Sequence, residues 1–168
     1  MNLFVREIVM EKEENYQIDK VDREILTRLL NDSRRSYQDI ARELIVSGGT
    51  IHVRTNKMKE AGVIKGSQIT VDFSKLGLDV TAFVGINLRS AKDYQTVVPL
   101  LKKLDEVTEV HYTTGQYSLF VKIVTRNTRD LHLFLIEKLQ SIQEIQSTET
   151  LISLDNPILR DPAIPEPK

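Results

Sequence analysis

Apolar side chains recur at Val21, Ile25, Leu26, Leu29 and Leu30, the three-and-four spacing of a helix with one apolar face, and Asp19 is the cap that opens it. Asn31-Asp32-Ser33 closes this helix, and Ser36 caps a second that carries Tyr37, Ile40, Ala41 and Leu44 on one face. After Ile45-Val46, Ser47 caps a third helix with Ile51, Met58 and Ala61 facing inward and Gly62 at its end. Residues 17–64 therefore predict three short helices with a tight turn between the second and third. Residues 1–16 show no clear period and read as an N-terminal extension, within which Met10 could itself be the native start.

Beyond Gly62 the period changes from helical to two. Gln68-Ile69-Thr70-Val71 is expected to be extended and Leu76-Gly77-Leu78 to turn, so residues 65–79 form a linker strand and hinge. Val80, Ala82, Val84, Ile86 and Leu88 alternate with Thr81, Phe83, Gly85, Asn87 and Arg89 as a first strand. Asp93 caps a helix with Val97, Val98, Leu101 and Leu104 inward. Val107–Thr113 and Tyr117–Thr125 form a hairpin through Thr114-Gly115-Gln116. Asn127 or Thr128 caps a helix bearing Leu131, Phe134, Leu135, Ile136 and Leu139, and residues 146–154 alternate as a fourth strand. The order β-α-β-β-α-β over residues 80–156 predicts a ferredoxin-like unit, an α+β fold overall, followed by a proline-marked tail over 157–168. Large apolar residues lie on both faces of two strands: Phe83 opposite Val84, and Phe120 and Val124 opposite Leu119 and Val121. Helices cover one face only, so the other is expected to bury itself against a second copy.

Composition narrows the function. The 168 residues are 40% hydrophobic and 28% charged, an ordinary globular balance that excludes a disordered chain. No uncharged apolar run reaches the roughly 18 residues a bilayer span needs, and the charged residues within 1–15 are foreign to a signal peptide, so a cytoplasmic protein without membrane contact is expected. The absence of cysteine excludes disulfides, thiol nucleophiles and cysteine-ligated metals, and His52, His111 and His132 fit no metal-ligand spacing. Asp105-Glu106 and Glu13-Glu14 are adjacent carboxylates that point apart, Ser118 has no histidine near it in sequence, and no glycine-rich phosphate loop exists. No catalytic residue, metal or cofactor is expected. Net charge is −1, but within residues 47–67 Arg54, Lys57, Lys59 and Lys65 face only Glu60. A small basic patch on a neutral body fits a DNA reader that needs two or more copies to bind well.

The second and third helices have the lengths and turn of a helix-turn-helix, whose second helix enters the major groove. Turning Ile51, Met58 and Ala61 inward leaves Gly49, Thr50, His52, Val53, Asn56 and Lys57 outward, with Arg54 and Lys59 flanking. The expected DNA set is Ser36, Ser47, Gly49, Thr50, His52, Val53, Arg54, Asn56 and Lys57. A solvated polar face on any helical hairpin has the same look, and periodicity does not choose between them.

The stretch Ile18-Asp19-Lys20-Val21-Asp22-Arg23-Glu24-Ile25-Leu26, the run from Ser47 to Arg54, Glu60-Ala-Gly-Val-Ile64 and Lys75-Leu-Gly77 resemble the start of the leucine-responsive/asparagine (Lrp/AsnC) family of feast/famine transcriptional regulators. Ser90–Tyr94, Tyr112–Ser118 and Gln143–Leu151 resemble its asparagine-responsive branch, and the resemblance is collinear from about residue 15 to 160. It implies a DNA-binding helix-turn-helix, a βαββαβ ligand module, dimers assembled into octamers, and an amino-acid effector bound between dimers, asparagine being the first candidate. The turn Thr114, Gly115, Gln116, Tyr117 and Ser118 resembles the family's ligand loop, and Gln146, Ser147, Thr148 and Glu149 open the fourth strand. Together they offer amides and hydroxyls for a carboxylate and side-chain oxygens for an ammonium group. The chain departs from the family pattern with Gly48 in place of proline, Val53 in place of arginine, Thr55 in place of an aliphatic residue, and Ser118 in place of aspartate. Two other readings share the architecture: a haem-biosynthetic decarboxylase acting on a tetrapyrrole, and an amino-acid sensor without DNA binding.

Overall fold

The computed structural model describes residues 16–165. All but Tyr16 of the N-terminal extension, and residues 166–168 of the tail, lie outside the described residues. The described chain divides into a helical unit, residues 16–69 with 160–165, and a sheet unit, residues 70–159.

In the helical unit, α1 (Lys20–Asn31) starts at a capping box. The Asp19 carboxylate accepts from the Asp22 amide at 2.9 Å, and the Asp22 carboxylate accepts from the Asp19 amide at 3.1 Å. Ser36 caps α2 (Tyr37–Leu44) by accepting from the Asp39 amide at 3.1 Å, and Ser47 caps α3 (Gly48–Glu60) by accepting from the Thr50 amide at 3.1 Å. Ile25, Ile40, Ala41, Ile51 and Met58 form the core where the three helices meet. Two expected inward residues do not belong to it. Leu30 is exposed because it lies about 140° around the helix from Ile25. Ala61 is exposed because α3 ends at Glu60, and Thr55 takes the inner position between Ile51 and Met58. The turn between α2 and α3 passes through Ile45 at φ 54°, a left-handed conformation that crowds a β-branched side chain, and that side chain is 92% exposed.

The expected linker strand over Gln68–Val71 is absent: these residues are exposed and pair with no strand among the described residues. Extended sequence becomes a strand only beside a partner edge. The hinge is a single 3₁₀ turn, Phe73–Leu76, closed by Gly77 at φ 80°, where a side chain would be strained.

In the sheet unit the order is β1 (Val80–Leu88), α4 (Tyr94–Leu101), β2 (Val107–Tyr112), β3 (Leu119–Thr125), α5 (Thr128–Leu133, continuing as wider π-helical turns through Phe134–Leu139) and β4 (Ile145–Ile152). The strands lie in the order β2-β3-β1-β4, with every pair antiparallel. Alternation sends Ala82, Val84, Ile86, Leu88, Leu119, Val121 and Ile123 to one face, where Val97, Leu101, Leu131, Phe134 and Leu139 cover them. Phe134 and Leu139 are both buried although five residues apart, because the wider turns bring that spacing onto one face. Ile136, expected inward, is correspondingly half exposed. The fourth strand ends at Ile152, two residues short of expectation, and Leu154 beyond it is exposed. On the face away from the helices Phe83 and Phe120 stack with centroids 5.7 Å apart, and both remain partly exposed. Among the described residues no regular element follows β4, and the Pro165 carbonyl accepts from Arg23 at 2.5 Å.

Candidate DNA interface and effector site

The first turn of α3 is tied together by side chains. The Ser47 and Thr50 hydroxyls lie 2.8 Å apart, and Gly49 stands exposed between them. His52, Val53 and Lys57 are exposed, and Asn56 is half-buried with its amide nitrogen 3.4 Å from His52 Nδ1. The His52 ring meets the edge of Tyr37 on α2, at 6.0 Å between centroids. Ser36 is exposed, but its hydroxyl donates to Asp39 at 2.6 Å, so α2's cap already occupies it and holds the Asp39 carboxyl below its ordinary range.

Arg54 behaves differently from its expected place in the contact set. Its Nη1 donates to Asp19 at 2.7 Å and to Asp22 at 3.0 Å, which turns the guanidinium toward the start of α1. Asp22 is 1% exposed, and the Arg54 charge is correspondingly stabilised by its bonds to Asp19 and then Asp22. Partial burial pushes the Asp19 carboxyl up, but the Asp22 amide and Arg54 outweigh it and hold it below its usual value. The same pair of helices borders a cleft of about 530 Å³ lined by Tyr16, Gln17, Gly49, Thr50, Val53 and Lys57 as well as this trio. Residue spacing marks Asp19 as a cap but does not single out Asp22 as its box partner. It does not reveal that both also face Arg54, more than thirty positions away.

In the sheet unit, Thr114, Gly115 and Gln116 are exposed at the β2–β3 turn, and Gly115 sits at φ 115°, a conformation that favours glycine. Ser118 is pinned to β1: its amide donates to the Ile86 carbonyl at 2.9 Å, and its hydroxyl accepts from the Leu88 amide at 3.3 Å. Tyr117 lies flat over Gly85, where a Cβ would come within 2.6 Å of the ring. Its hydroxyl donates to the Glu149 carboxylate, a bond that raises the phenol's pKa. The structure thus joins Tyr117 of the turn to Glu149 of β4 across β1. Ser147 accepts from Asn87 at 3.2 Å, and Thr148 pairs with Ile86 in the ladder. Gln146 falls in a bulge, because Leu88 pairs with Ile145 while Asn87 pairs with Ser147. Gly85 was missed as a site residue, although a glycine inside a strand pattern is the signal for close approach by another group. Among the described residues, no group of three or more histidine, aspartate or glutamate side chains is placed to hold a metal ion.

A capped helix-turn-helix followed by a separate sheet unit with a polar turn defines a transcription regulator that couples a small-molecule domain to DNA. Residues 18–65 match the family described as winged helix-turn-helix DNA-binding, and residues 81–163 match the Lrp/AsnC ligand binding domain. The chain belongs to the Lrp/AsnC family. It is 54% identical to "Regulatory protein AsnC" of Escherichia coli (strain K12) over 147 residues, 88% of this chain and 97% of that one. It is 52% identical to the Haemophilus influenzae protein of the same name, over 87% of this chain and 97% of that one. The solved structure of E. coli AsnC matches with a TM-score of 0.86 at 51% identity, covering 89% of this chain and 100% of that one. These relatives are regulatory proteins, so the chain is an effector-modulated, DNA-binding transcription regulator rather than a decarboxylase. No helix among the described residues is long and apolar enough to cross a membrane.

Proposed function

We propose that the protein is a cytoplasmic regulator that binds palindromic promoter DNA as a two-fold dimer and that asparagine, bound at the β2–β3 turn and the start of β4, modulates this binding. The carrying observation is the Tyr117–Glu149 contact over Gly85, which links one residue from each expected half of the effector site across β1, on the sheet face away from the helices. Glu149 and Gln146 supply oxygens for the effector's ammonium group, and the amides around Gly115 with the Thr114 and Ser118 hydroxyls supply donors for its carboxylate. Gln116 and Ser147 complete the polar rim, while Thr148, paired with Ile86, belongs to the helix-covered face.

On the DNA side, Thr50, His52, Val53 and Asn56 face base edges, while Ser47, Gly49 and Lys57 contact the backbone and Ser36, its hydroxyl taken up by Asp39, serves as α2's cap. The stacked Phe83–Phe120 face supports dimerisation, and the family resemblance supports dimers gathered into octamers. Calorimetric titration of the full chain with asparagine, aspartate, glutamine and leucine tests the effector site. Asparagine is expected to bind, and Gly115→Val and Gln146→Ala to abolish that binding while folding and DNA affinity persist. Wild-type titration curves in both variants would place the effector elsewhere.

A further inference from the structure

We propose that Arg54 is a positioning residue for DNA recognition: it clamps α3 to the start of α1 through Asp19 and Asp22 and does not itself contact DNA. This rests on the DNA-binding role of α3. The network is closed at its carboxylates. One oxygen of Asp19 takes the Asp22 amide and the other takes Arg54, while one oxygen of Asp22 takes the Asp19 amide and the other takes Arg54. Asp22 is buried, and a buried carboxylate left without its cation is strongly disfavoured, so drawing Arg54 out toward a phosphate would strand it.

The clamp matters because a small apolar contact does not by itself fix the rotation of α3. The helix buries Ile51, Thr55 and Met58, and the Thr55 hydroxyl is buried without a hydrogen-bond partner. Its first two residues are Gly48 and Gly49, which restrain the helix start less than any other pair. Side chains stand about 5–6 Å from a helix axis, so a rotation of roughly 20° about that axis moves a base-reading group by about 2 Å. Hydrogen bonds tolerate only a few tenths of an ångström. The clamp therefore fixes the rotational setting that Thr50, His52, Val53 and Asn56 need in order to meet base edges together.

The sign of one substitution separates positioning from contact. Removing an acidic charge near DNA strengthens binding on electrostatic grounds alone. If Asp19 and Arg54 set the helix, Asp19→Asn weakens specific binding instead. Asparagine keeps the N-cap hydrogen bond, so α1 still starts correctly.

The experiment measures binding of the full-length chain to the DNA upstream of its own gene and to unrelated duplex, across a salt series, with circular dichroism of each variant. Arg54→Ala and Asp19→Asn are expected to lower affinity for the specific site, by at least roughly tenfold for Arg54→Ala, the size of one lost base-edge contact. Both should leave the salt slope and the affinity for unrelated duplex as in wild type. Lys57→Ala, a backbone contact, should flatten the slope by about one unit. If Arg54→Ala fails to fold, Asp19→Asn decides the matter. A slope flattened by about one unit in Arg54→Ala, or tighter binding by Asp19→Asn, would overturn the proposal. A wild-type chain that shows no salt-dependent binding to either duplex would remove the DNA role of α3, and the positioning role with it.

Discussion

In the sheet unit, seven strand residues from Ala82 to Ile123 are buried on one face and five helical side chains close over them, so that each element is fixed by several apolar neighbours. In the helical unit, α3 buries three side chains, one of them a threonine with an unsatisfied hydroxyl, and leans on an ion pair from Arg54 to the start of α1. Its entry turn adds strain, since Ile45 holds a left-handed conformation that costs a β-branched residue about 1–2 kcal/mol. The ligand-binding unit is thus set by area removed from water, which forgives small changes. The helix proposed to read DNA rests on fewer apolar side chains and adds directional polar contacts, which do not. A regulator gains from this division: the effector platform stays rigid while the reading head can be retuned by a few charges.

The largest effect expected from breaking the comparison is on the sheet's second face. Phe83→Asp or Phe120→Asp puts a charge where the stacked pair is proposed to meet a second copy, and an unpaired charge is not buried there. Light scattering should report monomers or insoluble chain, and a soluble dimer of wild-type size would show that this face stays open. Gly85→Ala comes next. The added methyl meets the Tyr117 ring at 2.6 Å, so the ring must leave Glu149, at a cost of about 1–3 kcal/mol for overpacking. Effector affinity should fall in calorimetry while the far-ultraviolet spectrum is unchanged; an unaltered affinity would separate Tyr117 from the site.

How far the sequence revealed these differences depended on the kind of signal. Period-two alternation in β1 and β3 announced both the buried face and the exposed Phe83–Phe120 face, because a strand's geometry leaves each side chain only two directions. The caps Asp19, Ser36 and Ser47 were equally legible, since capping is local chemistry within three residues. Arg54 was not. Its partners lie 35 and 32 positions away, and an arginine on a polar helix face reads the same whether it meets phosphate or a buried aspartate. Ala61 and Ile136 failed for a geometric reason: an ideal 3.6-residue period was carried past a helix end in one case and into wider π turns in the other. The turn glycine Gly115 is legible from its hairpin setting, while Gly85, a glycine inside a strand pattern, signals close approach by some group without identifying it, because nothing in the chain locates a tyrosine 32 residues away above it.

Two smaller effects sharpen the contrast on the α3 side. Thr55→Val replaces the unsatisfied hydroxyl with a methyl of similar shape and should stabilise the helical unit by about 1 kcal/mol in denaturant unfolding. A loss of stability would mean that the hydroxyl does find a partner in solution. The pH dependence is smaller still, because Asp19 is half exposed. Its carboxyl is held below the ordinary aspartate value, so its contribution is fully present above about 3.9, the unfolded value, and is lost as pH falls through the lower folded value. Unfolding midpoints followed downward from pH 6 should therefore drop less steeply in Asp19→Asn than in wild type, and parallel curves would assign the acid sensitivity to other carboxylates.

Amide hydrogen exchange, read residue by residue in wild type and Arg54→Ala, bears most directly on the claim that a polar clamp holds the reading helix while apolar burial holds the sheet. Protection over α3, residues 48–60, should fall by at least roughly tenfold, the change that about 1.4 kcal/mol of lost local stability produces. Protection over β1 and β3, residues 80–88 and 119–125, should remain as in wild type. Unchanged protection across α3, or an equal loss in α3 and the strands, would contradict the account.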